Sequence, residues 1–340
     1  MIATLTALSA YYIGRADLRR CAEVGELLRV GVAGRRSFDP LIQGMNGVGA
    51  LLRGEFEVAR PELEKASVDW ADDEEITSVW FVAEDPQAAL WQHLAWDRLI
   101  QGDVVGADAA TEQAVDRADR LGFPQGPYTK AWNRFVESCI WVEAGQLDRA
   151  DELLADLMEA AEQYGFDLTL LMGSTLQAAV DALRLLDGKG DNPALLERTQ
   201  AVTELVGVWR GTEMNLYITF LDCIVGRLLT AVGELNRARD WLDTGLEFAR
   251  ESGMHFYDAE LLRLRAHTHT DPAAVQTDLQ EALALARRQG GHLFELRAAL
   301  DDLELRGDIA RPAVAAAVSR MPTEIPMPEL ARAKDALRYT

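Results

Sequence analysis

The residues best suited to ligand chemistry lie between positions 91 and 134. They are an indole, an ammonium, a carboxamide and a guanidinium: Trp91, Lys130, Asn133 and Arg134. A cationic side chain beside an asparagine can hold a terminal carboxylate through charge-assisted hydrogen bonds. Aromatic side chains nearby would add apolar contact area to such a groove. The four residues are therefore predicted to form a groove for a partner or ligand.

Tryptophans crowd the same region. Trp91 and Trp96 are five residues apart, and Trp132 and Trp141 are nine apart, so the four cannot share one face of a helix. Some must fill the core, while others can contribute to a groove. The sequence leaves both roles open for each of them.

The other residues that could suggest a metal, dinucleotide or catalytic site are better explained by structural roles. His267 and His269 are two residues apart and point to different sides of a helix, and no third ligand follows, so no metal site is predicted. The glycines of 44–49 lack the preceding strand of a dinucleotide loop and suit close helix packing. Gly-x-Ser-x-Gly is absent. We therefore expect no catalytic residues, no cofactor and no enzyme activity.

Composition and net charge exclude further classes of function. The net charge is −21, which opposes direct binding to nucleic acid or to anionic membranes. Cys21, Cys139 and Cys223 are widely separated, as expected for reduced thiols in the cytoplasm. The start of the chain has no basic residue before Arg15, and no apolar run approaches the roughly 18 residues of a membrane span. These features predict a cytoplasmic protein without a signal peptide.

A recurring motif indicates the elements that position these residues. A glycine is followed five residues later by alanine in four clear copies: Gly54–Ala59, Gly102–Ala107, Gly145–Ala150 and Gly233–Ala238. With weaker copies included, the starts are about 36 to 48 residues apart, a period typical of stacked helix pairs. Apolar residues after each alanine recur with helical spacing, and strand signals are nearly absent.

These patterns predict an all-α solenoid, a right-handed superhelix of about seven to eight helix pairs. The first helix of each pair should line the concave side. Residues 1–320 would form the repeat array, interrupted by a loop over 70–85. Residues 321–340 would add an extended segment and a short C-terminal helix that packs on the array.

Two stretches carry a resemblance to a known family. They are Glu84–Trp91 followed by Leu94–Trp96 and Gly102, and Ala259–Arg265 followed by Ala282–Gln289 and Glu295–Ala299. With these, the chain resembles the tetratricopeptide-type (TPR) C-terminal region of bacterial adenylate cyclase and LuxR-type signalling ATPase regulators. The resemblance covers roughly Tyr11 to Leu337. The ATPase phosphate loop, Gly-x-x-x-x-Gly-Lys-Ser/Thr, is absent, so the resemblance implies only the sensor or docking part.

The resemblance and the absence of a catalytic constellation imply a non-catalytic TPR-like sensor or scaffold module. It would mediate protein–protein or peptide interaction in bacterial signalling or transcription regulation. The partner would be a protein or peptide, for example a signalling ATPase or a transcription regulator. The alternative is a regulatory domain that binds a small-molecule effector inside the superhelix. The sequence leaves open the oligomeric state and the identity of the partner or ligand.

Overall fold

The computed structural model describes residues 1–70, 80, 82–188, 192–321 and 327–338. Most of the loop expected over 70–85 therefore lies outside the described residues, as does the core of the extended segment expected after residue 320. All regular secondary structure in the described ranges is helical.

The helices of the described ranges follow one another in eight pairs. The first four pairs are α1 (Ile2–Gly14) with α2 (Leu18–Gly31), α3 (Asp39–Leu52) with α4 (Phe56–Asp69), α5 (Pro86–Ile100) with α6 (Val104–Arg120), and α7 (Gln125–Glu143) with α8 (Leu147–Tyr164). The other four are α9 (Asp167–Asp187) with α10 (Asn192–Gly211), α11 (Ile218–Ala231) with α12 (Leu235–Ser252), α13 (Asp258–Ala266) with α14 (Pro272–Gln289), and α15 (His292–Arg306) with α16 (Arg311–Arg320). The predicted all-α, TPR-like solenoid is confirmed.

The recurring motif has a simple physical origin at the turn between paired helices. Gly54 and Gly233 adopt φ values of +74° and +83°, in the left-handed region that side chains disfavour. The chain can therefore reverse within a few residues. The alanines five positions on, such as Ala59 and Ala238, are fully buried, and their small size lets the second helix approach the first. Each copy of the motif thus specifies one helical hairpin.

The solenoid coils tightly enough for its two halves to touch. The Asn215 N–H, in the loop before α11, donates to the Gly14 carbonyl at the end of α1 over 2.7 Å. The Phe256 N–H, in the loop before α13, donates to the Leu52 carbonyl over 3.2 Å. First helices therefore meet around a narrow interior that side chains largely fill.

An aromatic layer crosses this interior. It comprises Trp96, Phe135, Tyr217, Phe256 and Tyr257, all buried. Trp96 stacks on Tyr217 with ring centroids 4.8 Å apart and planes within 4° of each other, and it meets Phe256 and Tyr257 edge-on. Such contacts add to the free energy gained from burying the rings. The layer brings residues of α5, α7 and the loops before α11 and α13 into one plane.

The array is followed by α17 (Pro328–Arg338). Leu330 and Ala333 are buried, and the Arg297 guanidinium of α15 donates to Glu329 over 2.8 Å. The helix therefore packs on the last repeats and extends their inner surface. None of the helices in the described ranges has both the length and the apolar character that a membrane crossing requires.

Candidate functional site

One candidate site is a cavity on the inner face of the second half of the solenoid, here named the charged channel. It encloses about 410 Å³ and is lined from α7, α9, α11, α13, α15 and α17. That volume falls in the range of about 300–1,000 Å³ usual for ligand pockets. Its apolar wall includes Leu183, Phe220 and Ile224. First helices supply most of the lining, as helical-repeat packing requires.

Buried ion pairs form the floor of the charged channel. Arg263 binds both oxygens of Glu260, over 2.8 and 2.7 Å, and Asp301 over 2.6 Å. Arg297 pairs with Glu143 and, over 2.8 Å, with Glu329. These guanidinium–carboxylate contacts are multiple and largely shielded from water, so they hold α7, α13, α15 and α17 in register.

The guanidinium groups keep the floor carboxylates ionised. Burial alone would raise the pKa of Asp301, but Arg263 and the hydrogen bond from His267 outweigh burial and hold that pKa well below its usual range. Burial likewise opposes the ionised form of Glu260, yet Arg263 and Arg297 leave its pKa lowered. The floor has two arginines and four carboxylates, so it offers no uncompensated positive charge to an anionic ligand.

Arg227 differs from the floor arginines. Its side chain is 48% exposed, and the carboxylate contact shown for it is Asp187, 3.0 Å away and itself 57% exposed. Burial by the surrounding walls lowers the pKa of Arg227. The positive charges of Arg297 and Arg263 lower it further, whereas the Asp187 carboxylate raises it. The Glu260 carboxylate raises it as Asp187 does, so both acids and arginines surround Arg227, and the half-exposed guanidinium leaves room for a further anion. Arg227 is therefore the channel group best placed to bind a ligand carboxylate.

A second cavity, here named the apolar pocket, shares no lining residue with the charged channel. It encloses about 190 Å³ among α1, α3, α5, α7 and the loop before α11. Three indoles and one phenol contribute to its wall: Trp70, Trp80, Trp132 and Tyr128. Aliphatic and thioether side chains fill most of the remainder. The pocket thus resembles an apolar ligand site with few polar groups.

Two polar groups line the apolar pocket. Burial raises the pKa of Glu84 to about 8, the nearby amide of Gln92 lowers it, and the Asp85 carboxylate raises it further. Its Oε1 atom is buried without a hydrogen-bond partner in the described ranges. His93 contacts the Ala89 carbonyl through Nδ1 over 2.7 Å, and because a carbonyl can only accept, Nδ1 carries the proton. The buried Nε2 is then an acceptor, also without a partner in the described ranges.

The four predicted groove residues, Trp91, Lys130, Asn133 and Arg134, line neither cavity. Lys130 pairs with Asp119 of α6 over 2.8 Å, and the Asn133 amide donates to the Ala114 carbonyl of α6 over 2.7 Å. Arg134 binds Glu137 over 2.9 Å. Lys130 and Asn133 therefore contact the second helix α6, whereas Glu137 belongs to the same helix as Arg134, which also lies 3.8 Å from Asp156 of α8.

The tryptophans divide between core and pocket. Trp96 and Trp141 are buried, and Trp91 is partly buried against the core. Trp132 lines the apolar pocket. A groove formed jointly by Trp91 with the polar residues of α7 stays a prediction.

The residues that line the charged channel were not predicted from the sequence. Arg227 belongs to no recognisable motif, but it and Asp222 are the only charged residues of α11. Asp222 is fully buried and paired with Arg210. Both residues could have been noticed as charges on an otherwise apolar helix. Such a charge predicts a polar contact but does not indicate its partner.

The remaining reactive side chains are occupied or buried. Burial raises the pKa of the thiols of Cys21, Cys139 and Cys223, which disfavours the nucleophilic thiolate. His267 and His269 bind separate carboxylates, those of Asp301 and Asp278. Within the described ranges, no group of three or more histidine, cysteine or acidic residues is placed to hold a metal ion.

Comparison with known proteins connects the chain to regulators by shape alone. No family model and no curated protein matches the sequence. The Rap conjugation gene regulator of the plasmid pLS20, solved in complex with the Phr* peptide, is similar with a TM-score of 0.58 and 16% identity, over 99% of this chain and 95% of that one. The apo form of RapI gives a TM-score of 0.43 and 12% identity, over 94% and 85% of the two chains.

The pLS20 regulator's similarity extends over nearly the whole of both chains and supports the fold assignment. Together with the eight helix pairs, it defines this chain as an all-α, TPR-like helical-repeat protein with internal cavities. At 16% identity the comparison concerns the fold, and the functional assignment depends on the cavities.

Proposed function

We propose that this protein is a non-catalytic sensor or scaffold that binds a peptide, or a peptide segment of a protein, in the charged channel. The observation that carries the proposal is Arg227, a half-exposed cation beside an apolar wall and near two other arginines. A peptide carboxylate would pair with Arg227. Apolar side chains of the peptide would contact Phe220 and Ile224, and a peptide N–H could reach Asp187.

The comparisons and the sequence support the setting of this function. The pLS20 regulator was solved with the Phr* peptide bound, and its fold is similar to this one. The resemblance to bacterial signalling ATPase regulators favours action in the cytoplasm, in signalling or transcription regulation. It also favours a signalling ATPase or a transcription regulator as the downstream partner. The net charge of −21 opposes direct contact with nucleic acid.

Affinity selection with a random pentapeptide pool tests the peptide proposal. The protein is mixed with the pool and separated by size exclusion, and the retained peptides are identified by mass spectrometry. One pool has free C-termini and a second has amidated C-termini. We expect the wild type to retain peptides of the free-acid pool, and Arg227→Gln to retain at least about tenfold less, because loss of a charged partner in a bound complex costs about 2–5 kcal/mol.

Arg237→Gln is the matched control, because this exposed arginine of α12 lies outside the channel and is only loosely paired, 3.7 Å from Glu234. It changes the net charge by the same amount as Arg227→Gln. Equal retention by the two variants would contradict the role of Arg227. Failure of the wild type to retain any peptide would contradict the proposed function. Circular dichroism of each variant establishes that the helices are intact.

A small-molecule effector is the second candidate function, and the apolar pocket favours it. The pocket is separate from the channel and contains two buried polar atoms without protein partners in the described ranges, Glu84 Oε1 and His93 Nε2. Groups of this kind are costly to bury unless something binds them. An effector in this pocket would contact α1, α3, α5 and α7 together and so stabilise one arrangement of the first repeats.

A further inference from the structure

We propose that the apolar pocket binds a small protonated amine with an apolar substituent, its ammonium paired with the Glu84 carboxylate among aromatic rings. The inference rests on the second candidate function and names its ligand class. It is independent of peptide binding in the charged channel, because the two cavities share no lining residue.

The first argument is a missing counter-ion. In the part of the chain that the structure describes, the Glu84 carboxyl lies near one other acid, Asp85, and that carboxylate is bound by Arg117 over 2.9 Å. Among the described residues, the other titratable groups near Glu84 are Tyr128 and His93, which line the same pocket, and Tyr217 of the aromatic layer. Burial lowers the pKa of His93, so that ring is neutral at physiological pH. A ligand cation would supply the positive charge that the described residues of the pocket do not place beside Glu84.

The second argument is hydrogen-bonding capacity. Glu84 and His93 both line the cavity, and once Glu84 is ionised its Oε1 atom and the Nε2 atom of His93 are both buried acceptors without a partner in the described ranges. A primary ammonium carries three N–H donors and can satisfy both acceptors with one group. A quaternary ammonium has no N–H and would leave both atoms without a hydrogen bond. The acceptors therefore select a primary or secondary amine.

The third argument is the aromatic wall. Trp70, Trp80, Trp132 and Tyr128 surround the cavity, and indole faces attract organic cations. Trp80 is anchored because its indole N–H donates to the backbone carbonyl of Glu84 over 2.7 Å. The volume of about 190 Å³ exceeds the roughly 150 Å³ of an engineered cavity that holds benzene. A single ring or a short alkyl chain would therefore fill the space beside the ammonium.

Binding of this ligand class must release a proton. In the free protein the pKa of Glu84 is raised to about 8, so the carboxyl is mostly protonated at pH 7. An ammonium beside it favours the ionised form and lowers that pKa. The balanced step is R–NH₃⁺ plus Glu84 carboxylic acid giving the ammonium–carboxylate complex plus one proton to solvent. Affinity should consequently rise between about pH 6 and pH 8, while the amine remains protonated.

Isothermal titration calorimetry with 2-phenylethylammonium chloride tests the inference, and 2-phenylethanol serves as the neutral analogue. Titrations at pH 7 in buffers of different ionisation enthalpy measure the protons released. We expect the amine to bind at least tenfold more tightly than the alcohol, with close to one proton released. Glu84→Gln should lower the affinity for the amine by at least tenfold and abolish proton release. The folded state should tolerate this substitution, because an amide of the same shape replaces an uncharged carboxyl.

Glu159→Gln, on the exposed side of α8, is the matched control and should behave like the wild type. Alcohol binding equal to or tighter than amine binding would overturn the inference and leave a neutral-ligand sensor in place. Amine binding without proton release, or binding unchanged in Glu84→Gln, would also overturn it. If neither compound binds, both the inference and the small-molecule function fail, while the peptide proposal is unaffected.

Discussion

The charged channel and the apolar pocket lie on the same inner surface, yet the pKa of a buried carboxyl group is lowered in the first and raised in the second. Burial acts to raise the pKa in both places. In the channel, Arg263 and a hydrogen bond from His267 outweigh burial and keep Asp301 ionised. In the pocket, burial dominates and raises the pKa of Glu84 to about 8. The difference lies in the partners that the fold supplies.

That difference suggests how one solenoid can serve two kinds of ligand. In the channel, internal ion pairs offset the free-energy cost of burying the floor charges. The half-exposed Arg227 remains accessible to an anionic group. The pocket keeps a carboxyl without a cationic partner and surrounds it with rings. The two cavities share no lining residue.

The largest expected effect comes from breaking the channel floor. Arg263→Ala would leave Glu260 and Asp301 buried with one guanidinium fewer, and removal of one partner from a buried ion pair costs about 3–5 kcal/mol. Urea denaturation followed by circular dichroism measures the free energy of unfolding. Arg250→Ala, on the exposed surface of α12, should cost far less, because water screens its pair with Glu247. Similar losses in the two variants would show that the floor pairs contribute no more than surface pairs.

A smaller effect should appear in the pH dependence of stability. An acid whose folded-state pKa is raised binds its proton more tightly when folded, so stability falls as pH rises from the unfolded value near 4 to about 8 and then levels off. Between pH 5 and pH 8 the wild type should lose a few degrees of Tm relative to Glu84→Gln. Asp97, whose pKa burial also raises to about 8, is present in both proteins and cancels from the comparison. Parallel Tm curves for the two proteins would contradict a raised pKa at Glu84.

The fold could be predicted because its determinants are local. Gly54 and Ala59 act within one hairpin, through a left-handed turn and a close helix contact, and the same few residues recur along the chain. Periodicity of this kind is visible without knowing any long-range contact.

The cavities could not be predicted in the same way. Successive helix residues differ by about 100° in direction, so Trp132 lines the apolar pocket while Asn133 contacts α6. The channel floor joins residues such as Glu143 and Arg297, which are 154 positions apart. Such pairs depend on the superhelical coil, for which a single sequence carries no local signal.

The central claim is that the two cavities bind opposite chemistries independently. The most direct measurement is a cross-titration of the wild type, Arg227→Gln and Glu84→Gln with both the free-acid pentapeptide pool and 2-phenylethylammonium. The account predicts that Arg227→Gln loses peptide retention and keeps amine affinity, whereas Glu84→Gln loses amine affinity and keeps peptide retention. Loss of both ligands in either variant, or of neither in both, would contradict it.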